Sequence, residues 1–120
     1  MTQQLLDAKT LSEIAIHGIQ EKKGQSLVRM DLKGVDGAIT DYFIICTGTS
    51  DRHVQSLAES VMEEMKKVGE RPISKEGLQA GQWVLLDFVN VVVHIFQQEM
   101  RDFYRLEALW GDAPTEHIDI

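Results

Sequence analysis

The stretch Gly48 to Val54 (GTSDRHV) stands between a β-favouring run and an amphipathic one, where the amides at the start of a helix can hold a phosphate. It has one glycine and no following lysine, so it is neither a P-loop nor a dinucleotide fingerprint, and it reads better as an ordinary helix cap. Nucleotidyl transfer would also need carboxylates spaced to hold two metal ions. No Asp-X-Asp or Asp-X-Glu pair falls in a strand-like stretch, and Asp87 is a lone carboxylate at a strand end. His17, His53, His94 and His117 lie far apart and offer no zinc-like ligand set. His94, inside an apolar run, reads as a satisfied structural histidine. Cys46 is expected to be buried and inert, since a nucleophilic thiol needs an electropositive, partly open setting. No catalytic residue, metal or cofactor is expected, and the weaker enzyme reading is a small nucleotide-binding or nucleotidyl-transferring protein that uses GTSDRH.

The elements that must carry these groups are legible from periodicity. From Leu5 to Lys23 apolar residues recur at steps of three and four, as on one face of a helix, and Gly24 can cap its end. Ser26 to Leu32 alternates as a half-buried strand does, and Tyr42 to Thr47 is a continuous β-favouring run suited to a central strand covered on both faces. Thr49, Ser50 or Asp51 can cap the helix that bears Val54, Leu57, Ala58, Val61, Met65 and Val68, and Gly69 closes it. Arg71 to Ser74 is a short strand weakened by Pro72. Trp83 to Phe88 and Val91 to Phe96 form a hairpin across Val89 and Asn90. A last helix runs from near Gln97 to Trp110, and Gly111 and Pro114 stop it. Residues 1–113 thus form one α/β (α+β) domain, a mixed sheet of about five strands flanked by helices, and 114–120 form a flexible acidic tail.

Composition limits the function classes. With 120 residues the chain can hide roughly two-thirds of the surface its unfolded form exposes, so one core suffices. A single cysteine cannot form an internal disulfide, and the start MTQQLLDAKT lacks the regions of a signal peptide, which points to a cytoplasmic protein. No apolar stretch approaches the roughly 18 residues of a membrane span. The net charge of −7 opposes binding to a phosphate backbone and favours either plain solubility or steering toward a basic protein surface, such as those of the ribosome.

Trp83 stands out. In WVLLDF it must share one strand face with Leu85 and Asp87. If the helices cover only the other face, the indole points outward, where tryptophan is a common interface anchor. Otherwise it is a core residue at the sheet edge, and the sequence leaves the two equally open.

Three stretches carry a family resemblance: DYFIICTGTSDRHVQSLAESV, the pair Glu76-Gly77 before Trp83, and LLDFVNVVVHIFQQEMRDFYRLEALWGDA. Together they resemble the bacterial and organellar ribosomal silencing factors, the Iojap family, from the first helix to Ala113. The resemblance implies a nucleotidyltransferase-like fold without catalytic carboxylates. It also implies a translational repressor that binds ribosomal protein fourteen of the large subunit, blocks joining of the small subunit and lowers translation when nutrients are scarce. Direct sequence-specific nucleic-acid binding is not expected, and a homodimer of the free chain is left open. Family pattern falls on Asp41, Thr47, Gly48, Ser50, Arg52, His53, Gly77, His94, Leu106, Glu107, Leu109 and Trp110, and on the partner-binding candidates Trp83, Glu76, Asp87, Asn90, Arg101 and Tyr104. One departure is visible: Val89 and Asn90 stand where the hairpin usually has Gly-Asp. For Arg101 and Glu107 the sequence leaves open whether their charges serve structure or the partner.

Overall fold

The computed structural model describes residues 6–118. Helix α1 (Ala8–Glu21) is capped by the Asp7 carboxylate, which accepts the Thr10 amide at 2.8 Å. Leu5, where the periodicity begins, lies outside the described residues. Strand β1 (Gln25–Asp31) and strand β2 (Tyr42–Gly48) follow, then α2 (Asp51–Lys67), β3 (Ser74–Glu76), β4 (Trp83–Asp87), β5 (Val91–Gln97), α3 (Gln98–Tyr104), α4 (Leu106–Leu109) and β6 (Thr115–Ile118).

The strands form one mixed sheet in the order β3-β4-β5-β2-β1-β6, six strands rather than about five. Only β2 and β5 run parallel; the other neighbouring pairs are antiparallel. Long apolar runs mark these two central strands because both of their faces are covered. One face packs against α1 and α2 through Ile19, Leu57, Val61, Ile44, Val93 and Ile95. The two helices meet at Gly18, where an added Cβ would stand 3.0 Å from the Val61 Cα, and the Ser60 hydroxyl donates to the Gly18 carbonyl at 2.7 Å. The other face carries a second cluster of Val28, Met30, Ile45 and Phe96, covered by Met100, Leu106 and Trp110 from the C-terminal helices.

Three expectations need correction. The tail does not fray through its length: Thr115–Ile118 pairs with β1, and Arg29 reaches across to Glu116 at 2.7 Å, an edge pairing that a short polar stretch does not announce. The last two residues lie outside the described part. The strand expected at Arg71 to Ser74 sits further on at β3, because Pro72 has no amide to give and pairing with β4 begins at Ile73, whose amide donates to the Asp87 carbonyl. The last helix is two helices, broken at Arg105, which adopts a left-handed conformation at φ 48°.

Candidate functional site

Antiparallel pairing decides which side chains share a face, since residues directly opposite point the same way. Trp83 lies opposite Phe96, Leu85 opposite His94, and Asp87 opposite Val92. On the other side of β4, Glu76 lies opposite Leu85 and Ser74 opposite Asp87. Trp83, Glu76 and Asp87 therefore stand on one face, the face turned away from α1 and α2. Burial alternates along β4 as expected, with Trp83, Leu85 and Asp87 partly exposed and Val84 and Leu86 fully buried.

Trp83 is neither a free anchor nor a core residue. Its ring stacks on Phe96 at 4.9 Å between centroids and meets Tyr104 at 4.7 Å, while its indole N–H donates to Nδ1 of His94 at 3.1 Å. The short α3 brings Tyr104 over the strand and leaves the indole half-buried. The close turn at Glu76-Gly77 supports the same residue. Gly77 has φ 81°, and a Cβ there would lie 2.0 Å from the Trp83 carbonyl oxygen, so only glycine lets the chain pass.

An aromatic surface continues from this point. Phe43 lies edge-on to His94 at 4.8 Å and to Trp110 at 6.0 Å. Phe103 and Leu109 are about three-quarters exposed on the C-terminal helices, Phe103 at 76% and Leu109 at 74%. At the far end of the hairpin Ile39, Ile73 and Val89 are exposed around a cleft of about 200 Å³ lined also by Thr40, Asp87 and Val92. The loop residues Ile39, Ile73 and Val89 carry no periodic signal, and the spacing that includes Phe103 reads as a buried helical stripe, so alternation along β4 is the cue in the sequence to this face.

The candidates do not all belong to that surface. Asn90 sits in the turn beyond Asp87, where its carbonyl accepts the Asp41 and Tyr42 amides. Arg101 is 8% exposed and built into the fold. Its Nε and Nη2 make a forked pair with the Glu107 carboxylate at 2.9 and 3.0 Å, and Nη1 donates to the Ser26 carbonyl at 2.7 Å and to the Thr47 hydroxyl at 2.9 Å. Ser26, at φ 48°, lies where the register of β1 shifts against β2, so Arg101 satisfies a carbonyl that the ladder leaves out. The open choice between structure and surface falls to structure for Arg101.

His94 also departs from expectation. It is 4% exposed, and burial pushes its pKa down to about 4, so the ring is neutral. Nδ1 accepts the Trp83 proton, yet Nε2 is buried without a partner, so this histidine is only half satisfied. Cys46 is buried as expected, and desolvation raises its thiol to about 12.

The start of α2 has part of its anion-holding amides already engaged. Ser50 caps it by accepting the His53 amide at 3.0 Å, and the Thr49 amide is taken by Nδ1 of His53 at 2.9 Å. Nε2 of His53 meets the Lys22 carbonyl at 2.8 Å, tying the cap to the end of α1. Two of the amides that a phosphate would use are thus already bonded. Among the described residues no group of three or more His, Cys, Asp or Glu could hold a metal ion, and no helix is long and apolar enough to cross a membrane.

Comparison with known proteins supplies the relatives. The family model described as "Ribosomal silencing factor during starvation" matches residues 6–120, beyond the Ala113 boundary expected from the sequence. The ribosomal silencing factor of Bacillus subtilis is 35% identical over 114 residues, covering 95% of this chain and 96% of its own. The mouse protein named for mitochondrial assembly of the ribosomal large subunit is 39% identical over 74 residues, 59% of this chain and 32% of that one. A crystal structure of a protein from Chromobacterium violaceum superposes with a TM-score of 0.85 at 35% identity, covering 88% of each chain. The nucleotidyltransferase likeness stays an implication of the resemblance alone. By the family match over nearly all of its length, and by the fold that it shares with this relative, the chain belongs to the ribosomal silencing factor family.

Proposed function

We propose that this protein represses translation by binding ribosomal protein fourteen of the large subunit through the Trp83 face, so that the bound chain bars the small subunit from joining when nutrients are scarce. Family membership gives the ribosome-associated silencing role, and the name of the mouse relative points to the large subunit. The observation that carries the choice of face is the clustering of Trp83, Tyr104, Glu76 and Asp87 on the side of the sheet that α1 and α2 leave uncovered. A net charge of −7 suits a basic ribosomal surface and a cytoplasmic site of action. The protein acts by steric exclusion and not by catalysis. Its α2 cap, with the Thr49 and His53 amides engaged, disfavours the alternative of a nucleotide enzyme, which calorimetry with nucleoside triphosphates and magnesium would reveal as heat of binding. In the free state the exposed Phe103 and Leu109 favour pairing with a second copy, which sedimentation at increasing concentration would register.

Pull-down by ribosomal protein fourteen tests the reading. Trp83→Ala should cost roughly 2 kcal/mol or more of binding, as truncation of an interface tryptophan does. Because the ring also packs on Phe96 and Tyr104, the same change lowers stability, in contrast to an outward-pointing indole whose loss the fold would not feel. Trp83→Phe retains most of that packing and separates the two effects. Wild-type affinity in both variants would place the interface elsewhere.

A further inference from the structure

His94 is an expensive residue for its position. It lies among Phe43, Phe96 and Trp83 at 4% exposure, with Nε2 buried and unpartnered. Since Nδ1 accepts the indole proton, the ring's own proton must sit on Nε2, where it has nothing to donate to. A leucine of similar size would fill the site without the unsatisfied Nε2 proton, giving up only the acceptor of the half-buried Trp83 N–H, and unsatisfied buried donors destabilise a fold. Packing therefore does not explain the imidazole. Its single polar contact does: it holds the Trp83 indole N–H at 3.1 Å.

We propose that His94 is the positioning residue of the Trp83 anchor, fixing the indole so that it presents carbon atoms and no hydrogen-bond donor to the partner. The group that Trp83 receives is accordingly an apolar side chain rather than a carbonyl or carboxylate. Three contacts set the indole: Phe96 stacked at 4.9 Å, Tyr104 at 4.7 Å, and His94 through Nδ1. The two aromatic contacts hold the plane of the ring, but a flip about the Cβ–Cγ bond would keep that plane and turn Nε1 away, and the hydrogen bond selects one of the two orientations. An anchor ordered before binding loses less conformational freedom when the partner arrives. This inference rests on the proposed role of the Trp83 face in binding the large subunit.

The test measures binding to isolated large ribosomal subunits alongside thermal melting for the wild type, His94→Leu, His94→Asn and Trp83→Ala. His94→Leu should melt near the wild-type temperature, relief of the buried Nε2 offsetting loss of the indole bond, and bind about tenfold more weakly. His94→Asn, whose side-chain oxygen can take the place of Nδ1, should melt lower and yet bind within about threefold of wild type. The Trp83 indole proton, followed by hydrogen exchange, should be protected in the wild type and in His94→Asn and unprotected in His94→Leu. A role in packing alone would instead make binding follow stability. A His94→Leu protein that keeps wild-type affinity while Trp83→Ala loses it, or a His94→Asn protein that binds no better than His94→Leu, would overturn the assignment. Wild-type binding by Trp83→Ala would overturn it in a different way, by removing the anchor itself.

Discussion

Replacing Arg101 with alanine removes four hydrogen bonds at once, and the structure allows their loss to be weighed separately. The Glu107 side chain is 34% exposed and regains water, so its half of the ion pair contributes little to the cost. The Thr47 hydroxyl is buried and loses its charged donor, at about 1 to 3 kcal/mol, whereas Ser26 is an exposed residue whose carbonyl can turn to water. The total, about 2 kcal/mol, lies below the values for breaking fully buried ion pairs because Glu107 and Ser26 regain water. For a domain of this size that corresponds to a fall of roughly 8 °C in Tm. Because α3 carries Tyr104 onto Trp83, partner binding should weaken together with the fold. Arg101→Lys keeps the charge but not the fork, and should fall between the wild type and the alanine variant. Calorimetric melting with parallel pull-down checks both quantities. An Arg101→Ala protein that melts like wild type but fails to bind would refute the structural role and return this residue to the interface.

Val89→Gly should stabilise the protein by about 1 kcal/mol in urea titration: Val89 has φ 75° at the centre of a three-residue turn in which the Asn90 amide bonds the Phe88 carbonyl, a conformation that suits glycine and strains a β-branched residue. Loss of stability would mean that the valine's contacts at the cleft outweigh the backbone strain. Cys46 should resist thiol reagents in the native state at pH 8 and react fully in denaturant, given a thiol raised to about 12 by burial; rapid native labelling would show the strand to be open. His94, depressed from 6.5 to about 4, gives a stability that is complete above pH 6.5 and declines as pH falls toward 4, because there the unfolded chain takes up a proton that the folded chain refuses. Between pH 7 and pH 5 the wild type should lose about 2 kcal/mol more than His94→Leu, and equal losses in the two proteins would contradict the burial of this ring.

Regular burial made most of the fold legible in the sequence. The helical stripe of α2 and the alternation of β4 follow directly from which side of each element meets the core, so the pattern of each marks nearly its observed limits. The break at Arg105 left no such trace, since Phe96, Met100, Phe103, Leu106 and Trp110 continue a helical spacing straight through it. The break is held by tertiary contacts: Arg101 bonds the distant Ser26 carbonyl and Thr47 hydroxyl, Glu107 two residues past the break forks onto the same guanidinium, and Phe103 faces solvent. The pairing of Thr115–Ile118 with β1 is likewise a contact between distant segments that a polar stretch does not advertise. At the candidate site, alternation identified the face of Trp83, but the half-buried state of the indole depended on α3 folding over it, and the hydrogen bond to His94 on a register that only the assembled hairpin provides.

Co-sedimentation with purified ribosomal subunits bears most directly on the proposed repression. The expected result is pelleting with the large subunit and not with the small one, weakening as salt rises because an acidic protein meets a basic partner, and lost in Trp83→Ala. Equal pelleting with both subunits, or undiminished pelleting of Trp83→Ala, would contradict it.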